Sequence, residues 1–463
     1  MKKPFNVLAT ALVAGTVFSS SIPSAFAEES QDDIVPEIPV YSDPIEEDKT
    51  DTGVGLSSFT DANGTIYQDA VRFLELNAIA KGLNETTFGV NEPIKRVDVA
   101  MILGTFTEIN AMYPNAPKAG FRDLPTRAVK TVSTLKYRGI INGKSNTYFG
   151  AGLNITRGEA ALMLYNAFKD DFYPSEGMKL PFTDVQTRYE EAIRTLYGAG
   201  IIKGTAGKFG TDNNITRGQL ALMIYRIDKY HLWLREEEKS GFVAFGDSNT
   251  EGLYYEKQFP EYLDEQWTDQ VAAVYGGGLE ESEYNAGITG DQTEEGLARF
   301  KEEVLDVKPE YVTIMFGIND ALLYKGQPQI SKEEFRNNLV YMLYQLRLRG
   351  IKPVLMTNTP VIESIYYDLQ LDNGYNIKPM YADKGGLRNW IDSYNDIIRE
   401  VAIKNAVKLV DVNKLLTEKA GGSTDATLLK SELIETKTGI HMTPKANDIV
   451  AEAVKDALSK ATY

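Results

Sequence analysis

Ser248 and His441 are the residues of this 463-residue chain whose types and settings suit nucleophilic catalysis. Ser248 stands in Phe245-Gly246-Asp247-Ser248-Asn249-Thr250, at the carboxyl end of the apolar run Phe242 to Phe245. A serine hydroxyl is a weak nucleophile until a neighbouring base takes its proton, and histidine is the usual base at neutral pH. The chain has two histidines. His231 lies between Tyr230 and Leu232 and reads as a surface or packing residue. His441 lies in Gly439-Ile440-His441-Met442-Thr443-Pro444, just before a helical pattern, and is the base a serine hydrolase domain would use. The same serine, taken alone, reads equally well as a helix N-cap.

Two further segments end near the same place. Asn285-Ala286-Gly287-Ile288-Thr289-Gly290-Asp291 is a glycine-bearing turn that can present the Gly290 N–H to a ligand. Phe316-Gly317-Ile318-Asn319-Asp320 closes another apolar run and carries the Asn319 amide to the same edge. Other chemistries lack their residues. The chain has no cysteine, so disulfides, thiolate metal sites and a cysteine nucleophile are excluded. No histidine cluster and no phosphate-cradling Gly-x-x-x-x-Gly-Lys-Ser/Thr run occurs, so neither a metal site nor a cofactor is expected. The formal net charge of −16 argues against nucleic acid and against anionic lipid as partners.

The elements that must position these residues are legible in outline. Phe242–Phe245, Tyr311–Phe316, Pro353–Thr357 and Val407–Val412 read as buried strands. Amphipathic helices separate them. One runs from about Lys332 to Arg349, opened by a Ser331-x-x-Glu334 capping box and closed by Gly350, with Phe335, Leu339, Met342, Leu343 and Leu346 as its buried stripe. Strand and helix in alternation predict a parallel sheet covered on both faces, with its site at the carboxyl ends of the strands.

Over about residues 241–463 the four blocks, in this order, resemble the SGNH (GDSL) hydrolase family. The resemblance implies a flavodoxin-like α/β/α sandwich, with Ser248 as nucleophile and His441 as general base and then general acid. It also implies an oxyanion hole made of Ser248 N–H, Gly290 N–H and the Asn319 side chain. The family places an aspartate three residues before the histidine, and here that position is Thr438. Either a Ser–His dyad operates, or Glu435, the Thr438 hydroxyl or a backbone carbonyl takes the orienting role.

Ahead of this domain the chain repeats itself. Phe59-Thr60-Asp61 recurs as Phe121-Arg122-Asp123 and Phe182-Thr183-Asp184. A Gly-Ile-Ile type turn, an aromatic-Gly pair (Phe88-Gly89, Phe149-Gly150, Phe209-Gly210) and a helix start centred on Arg96, Arg157 or Arg217 follow in each unit. Thr156 and Thr216 suit N-cap positions. Stripes such as Tyr67, Ala70, Val71, Leu74 and Tyr189, Ala192, Ile193, Leu196 mark the first helices. The units span 58–115, 116–176 and 177–230. They resemble S-layer homology (SLH) repeats, which implies an all-α pseudo-threefold bundle. That family's bundle binds a pyruvylated secondary cell-wall polysaccharide through the motif arginine, here Arg157 and Arg217, and Arg96 by position. A guanidinium fork suits an acidic sugar, and it equally suits a carboxylate on the same helix. The third copy has Gln219 where the family usually has Glu.

Residues 1–27 read as a secretory signal, with Lys2 and Lys3, an apolar stretch from Val7 to Phe18, and Ala25-Phe26-Ala27 as the cleavage site. No segment reaches the roughly 20 apolar residues of a membrane span. Residues 28–57 read as an acidic disordered linker, and 231–240 as a second linker. The expected protein is multidomain and secreted to the cell wall or S-layer of a Gram-positive bacterium. Its expected activity is a serine esterase acting on O-acyl, most simply O-acetyl, groups of a carbohydrate or small ester. An O-acyltransferase on wall polysaccharide, or a structural surface protein with an inactive hydrolase domain, are the alternatives.

Overall fold

The aspartate of each Phe-x-Asp motif explains why the repeats fold as they do. The Asp61 carboxylate accepts from the backbone N–H groups of Phe88, Gly89 and Val90 at 2.7, 2.8 and 3.0 Å. Asp123 does the same for Phe149, Gly150 and Ala151, and Asp184 for Phe209 and Gly210. Partial burial pushes these carboxyls up, but the amide donors prevail and hold all three below their ordinary range. The start of each unit is thus tied to the aromatic-Gly pair that precedes its second helix.

The computed structural model describes residues 56–173, 178–262 and 265–461. The expected signal, 1–27, and most of the expected acidic linker lie outside the described residues. Ser57, at the end of that linker, is already buried and donates to Glu75 at 2.8 Å.

The three units contribute helix pairs: α1 (Gln68–Leu76) and α2 (Arg96–Phe106), α3 (Val129–Tyr137) and α4 (Arg157–Phe168), α5 (Thr187–Gly198) and α6 (Arg217–Glu236). The second helix of each unit packs on the first helix of the next: α2 on α3, α4 on α5, and α6 back on α1. A ring of backbone bonds closes the arrangement. Ile94 N–H donates to Ile215, Ile215 to Ile155 and Ile155 to Ile94, at 3.1, 3.1 and 3.2 Å. All three isoleucines are buried at the centre. Thr156 and Thr216 cap α4 and α6 as expected. Thr216 pairs reciprocally with Gln219, so glutamine serves the cap where glutamate was the usual residue.

The expected linker at 231–240 is a correction. Residues up to Glu236 are the last turns of α6, because Ile227, Tyr230, His231 and Leu234 continue its buried stripe. Only residues 237–240 connect the bundle to the next domain. His231 is a packing residue, with Nε2 2.9 Å from Asp171 Oδ2 and its ring stacked on Phe106.

That domain holds strands β1 (Phe242–Gly246), β2 (Asn285–Gly287), β3 (Tyr311–Met315), β4 (Leu323–Tyr324), β5 (Gln327–Pro328), β6 (Lys352–Met356) and β7 (Lys408–Val410). Strands β4 and β5 form a small antiparallel hairpin. The others make one parallel sheet in the order β2-β1-β3-β6-β7. Side chains alternate across it. Val243, Phe245 and Leu355 face the core under α7 (Lys332–Arg349) and the helix Leu387–Lys404, while Phe242, Ala244, Val354 and Met356 face the helix Trp267–Tyr275 and α8 (Pro444–Leu458). The chain is therefore multidomain, a helical bundle followed by a three-layer α/β/α domain. Ser331 caps α7 by accepting from Glu334 N–H, Gly350 ends it in the left-handed region, and its five predicted stripe residues are buried. The strand expected at Val407–Val412 stops at Val410, because Asp411 caps the next helix and Val412 opens it. Strand β2 was expected as a turn; three residues are too few to carry a strand periodicity.

Candidate active site

The nucleophile candidate sits on a tight strand-to-helix turn. Asp247, immediately after β1, caps the one-turn helix Ser248–Glu251 by accepting from Asn249 N–H at 3.0 Å. The turn needs a bare backbone before it: a Cβ on Gly246 would lie 2.2 Å from Thr250 Oγ1 and 2.6 Å from the Met315 carbonyl. Ser248 thereby stands at the carboxyl edge of the sheet. Thr250 and Asp247 pack beneath it, fully buried.

His441 is brought to it by a short return. The segment before α8 doubles back, with Ile434 and Met442 in an antiparallel bridge and Glu435 N–H donating to the His441 carbonyl at 3.0 Å. Thr443 then caps α8, and Pro444 opens it. The Gly439 carbonyl accepts from Ile362 N–H and the Ile440 carbonyl from the Thr359 hydroxyl, which pins the loop to the segment following β6.

The result is a continuous chain of contacts. Ser248 Oγ lies 2.9 Å from His441 Nε2. His441 Nδ1 lies 2.7 Å from Thr438 Oγ1. The Thr438 hydroxyl donates to Glu435 Oε1, which is itself 3.6 Å from Nδ1. Glu435 also accepts from the backbone N–H groups of Lys437 and Thr438. Burial works to raise its pKa, but these bonds and the imidazole outweigh burial and bring it down to about 2. All four side chains are buried. Glu435 is an ionised carboxylate one hydroxyl away from the imidazole.

Gly290 lies three residues beyond β2 with φ +91°, a conformation that favours glycine. Among the described residues, the backbone N–H groups of Ser248 and Gly290 donate to no protein acceptor. Asn319 follows β3 on the one-turn helix Ile318–Ala321. One of its amide protons goes to the Asp291 carbonyl at 3.0 Å, which fixes the side chain beside the Gly290 turn. Thus Ser248, Gly290, Asn319 and His441 gather at one sheet edge, with Thr438 and Glu435 behind the histidine.

Sequence reasoning missed Tyr254. Its ring stacks on His441 with centroids 4.4 Å apart and planes 18° from parallel. The available signal was an aromatic residue within two turns of Ser248. Two buried aspartates were also passed over. Burial drives both Asp247 and Asp320 up to about 7. Asp320 accepts from the Thr293 N–H and hydroxyl, while one oxygen of each aspartate has no partner among the described residues.

The three repeat arginines do not pair with carboxylates of their own helices. Each reaches the loop of the next unit around the ring. Arg157 donates to the carbonyls of Phe209 and Lys203, and Arg217 to those of Phe88 and Lys81. Arg96 donates to the Asn142 carbonyl and lies 3.4 Å from Glu159, on another unit. Each guanidinium also lies over the ring of Phe149, Phe209 or Phe88. Among the described residues no group of three metal-ligating side chains occurs, and no helix is long and apolar enough to cross a membrane.

Comparison with known proteins matches residues 244–449 to the GDSL-like lipase/acylhydrolase family. The S-layer homology domain matches residues 120–161 and 181–221. The first unit falls outside that match, and its Lys95-Arg96-Val97-Asp98 departs from the Thr-Arg-Gly of the other two. An uncharacterized lipoprotein of Bacillus subtilis (strain 168), YqeF, is 44% identical over 223 residues, which cover 46% of this chain and 87% of that protein. An acetylxylan esterase of Geobacillus stearothermophilus is 25% identical over 29% of this chain and 55% of that protein. A crystal structure of a lipase/acylhydrolase from Enterococcus faecalis aligns over 48% of this chain and 97% of its own, with 26% identity and a TM-score of 0.35. Through its carboxyl-terminal domain, carried behind S-layer homology repeats, the chain belongs to the GDSL-like lipase/acylhydrolase family.

Proposed function

We propose that the protein is a cell-surface serine esterase that removes O-acyl groups, O-acetyl first among them, from carbohydrate through an acyl-serine intermediate. The observation that carries this reading is the unbroken chain from Ser248 through His441 and Thr438 to Glu435. With the Thr438 proton committed to Glu435, its oxygen accepts from Nδ1–H, so Nε2 offers its lone pair to the Ser248 hydroxyl. Ser248 attacks the ester carbonyl as His441 takes its proton. The oxyanion settles against the N–H groups of Ser248 and Gly290 and the second amide proton of Asn319, each such donor typically worth about 3 kcal/mol in the transition state. The imidazolium then protonates the departing alkoxide. A water, deprotonated by the same imidazole, attacks the acyl-serine and releases the acid.

The repeats supply location. S-layer homology domains bind cell-wall polysaccharide, and the partly buried Arg157 and Arg217 give this bundle guanidinium groups for an anionic one, whereas Arg96 is buried against Glu159. Acetylxylan esterase among the relatives supports an acetylated sugar as the substrate class.

The test is hydrolysis of p-nitrophenyl acetate, butyrate and octanoate by the protein and by Ser248→Ala. Turnover abolished by the substitution and highest with acetate is expected. Turnover undiminished in Ser248→Ala, or highest with octanoate, would overturn respectively the nucleophile or the substrate class.

A further inference from the structure

The bundle and the sheet domain meet in a built interface. Asp171, 2% exposed, is shared between them, with Oδ2 at 2.9 Å from His231 and Oδ1 accepting from Gln345 at 2.9 Å. The Tyr341 hydroxyl donates to Asp170 at 2.7 Å, and Arg349 to the Asp170 carbonyl at 2.8 Å. Glu237 accepts from the Tyr173 hydroxyl and from Lys308, at 2.6 and 2.9 Å. Buried, mutually satisfied polar groups of this kind fix one arrangement and penalise others.

Two directions follow from which residues dock. On the bundle, Arg96, Arg157 and Arg217 begin α2, α4 and α6, whereas Asp170 and Asp171 follow the end of α4 and His231 lies near the end of α6. On the sheet domain, Lys308 and Arg349 precede β3 and β6, so docking uses the amino edge of the sheet together with the outer face of α7. Ser248, Gly290 and Asn319 follow β1, β2 and β3 at the carboxyl edge. The arginine layer and the serine therefore lie on opposite sides of the interface. A 12-residue helix, the length of α4, spans about 18 Å. A five-residue strand, the length of β1, adds about 16 Å.

Charge points the same way. A cleft of about 350 Å³ beside β2 is lined by Glu251, Glu256 and Glu281, with Leu253 and Asn285; Ser248 does not line it, but Glu251 ends the one-turn helix that Ser248 begins. Carboxylates at a cleft wall repel an anionic chain and leave a neutral sugar unaffected. Guanidinium groups at the far end of the bundle favour an anionic polymer.

We propose that the esterase, granted the function proposed above, does not deacylate the polymer segment held by its own repeats. It acts on uncharged O-acylated oligosaccharides that arrive on the side facing away from the anchoring polymer. The repeats act as a stalk that holds the site outward.

Two measurements on the full chain decide this. Because the chain has no cysteine, Ser145→Cys with Glu294→Cys places one spin label in the loop that Arg96 contacts and one beside the Gly290 turn. One narrow distance distribution centred beyond about 30 Å is expected from the helix and strand lengths; a broad or shorter one overturns the outward orientation. The second compares acetate release from acetylated xylo-oligosaccharides by free and wall-bound protein, and from chemically O-acetylated wall polysaccharide with and without excess unacetylated polysaccharide. Rates on the oligosaccharides within twofold, and no slowing by the competitor, are expected. A tenfold slowing by the competitor means the protein works on the polymer it holds. Failure on every ester, p-nitrophenyl acetate included, defeats the esterase reading, while the label distance still decides the orientation.

Discussion

Thr438 Oγ1 lies 2.7 Å from His441 Nδ1 and gives its own proton to Glu435, so the imidazole meets its carboxylate through an alcohol. A hydroxyl has one proton, and with that proton spent on Glu435 only its lone pairs face the ring. The Nδ1–H tautomer is thereby selected without a direct carboxylate contact. Thr438→Val removes the acceptor and strands Nδ1–H in a buried site, so kcat is expected to fall by about a hundredfold, near 3 kcal/mol. Thr438→Ser keeps the hydroxyl and is expected within a few-fold of the parent. Equal rates for the two variants would remove Thr438 from the mechanism.

Thr438→Asp installs the residue other family members are expected to carry, yet it should not restore a better enzyme here. A carboxylate at 438 would face the ionised Glu435, and two like charges in a buried site cannot both stay ionised. The single variant is expected to lose activity, and Thr438→Asp with Glu435→Ala to recover most of it. A coupling energy near zero in this double-mutant cycle would show that the two positions act independently.

Much of this site was legible in the sequence, and the unread parts share a cause. Ser248, Gly290, Asn319 and His441 sit in short segments that end strands or precede a helix, so motif and topology together place them at one edge. The orienting group stayed open among Glu435, Thr438 and a carbonyl because the choice depends on how the 434–442 return folds back on itself. That return is a single bridge with no periodicity to read. Tyr254 escaped because its partner, His441, is 187 positions away in sequence. The helix pair of each repeat was readable from register, while the threefold bundle came from the resemblance to S-layer homology repeats. The arginine contacts were not readable, because each guanidinium binds the neighbouring unit, and a repeat does not announce which unit its side chains serve. The continuation of α6 past Tyr230 was carried by an apolar stripe that the end of the repeat pattern obscured.

Asn319 offers a separate reading of the oxyanion site. One amide proton holds the Asp291 carbonyl, leaving the other for substrate. Asn319→Ala is expected to lower kcat by 10²–10³, about 3–4 kcal/mol, with KM changed little, as for a donor that engages the transition state. A rise in KM at constant kcat would instead assign Asn319 to ground-state binding.

Because Arg96, Arg157 and Arg217 stitch each unit to the next, their loss should be felt in stability as well as in wall binding. Arg157→Ala removes the guanidinium that donates to the carbonyls of Phe209 and Lys203 and bares the Phe209 ring. A cost of about 1–3 kcal/mol is expected. Arg157→Lys keeps the charge but cannot span both carbonyls, and should recover only part of it. Chemical denaturation checks the first effect, and co-sedimentation with cell-wall sacculi the second. Full stability in Arg157→Ala would mean the contacts to the neighbouring loop contribute nothing to the bundle.

The buried carboxyls give stability a definite pH dependence, with opposite signs at the two ends. Burial raises Asp247 and Asp320 from 3.8 to about 7, so between about pH 4 and 7 the folded chain binds protons there that the unfolded chain has lost. Stability from these groups is therefore present below about pH 4 and declines as pH rises through 7. Glu435 behaves in the reverse sense. Its bonds lower it from 4.5 to about 2, so its contribution is present above about pH 4.5 and is lost as pH falls towards 2. The three together place their joint maximum a little below pH 4 and a decline from there towards neutrality. Asp247→Asn keeps the carbonyl oxygen that caps Asn249 and removes one titration. It should flatten the loss of stability between about pH 4 and 7 by the equivalent of one proton, read from urea midpoints across that range. Glu435→Gln should leave that slope untouched and flatten the acid side instead. If Asp247→Asn declines as steeply as the parent, Asp247 is already ionised in the folded chain, and its unpaired oxygen must be met by solvent.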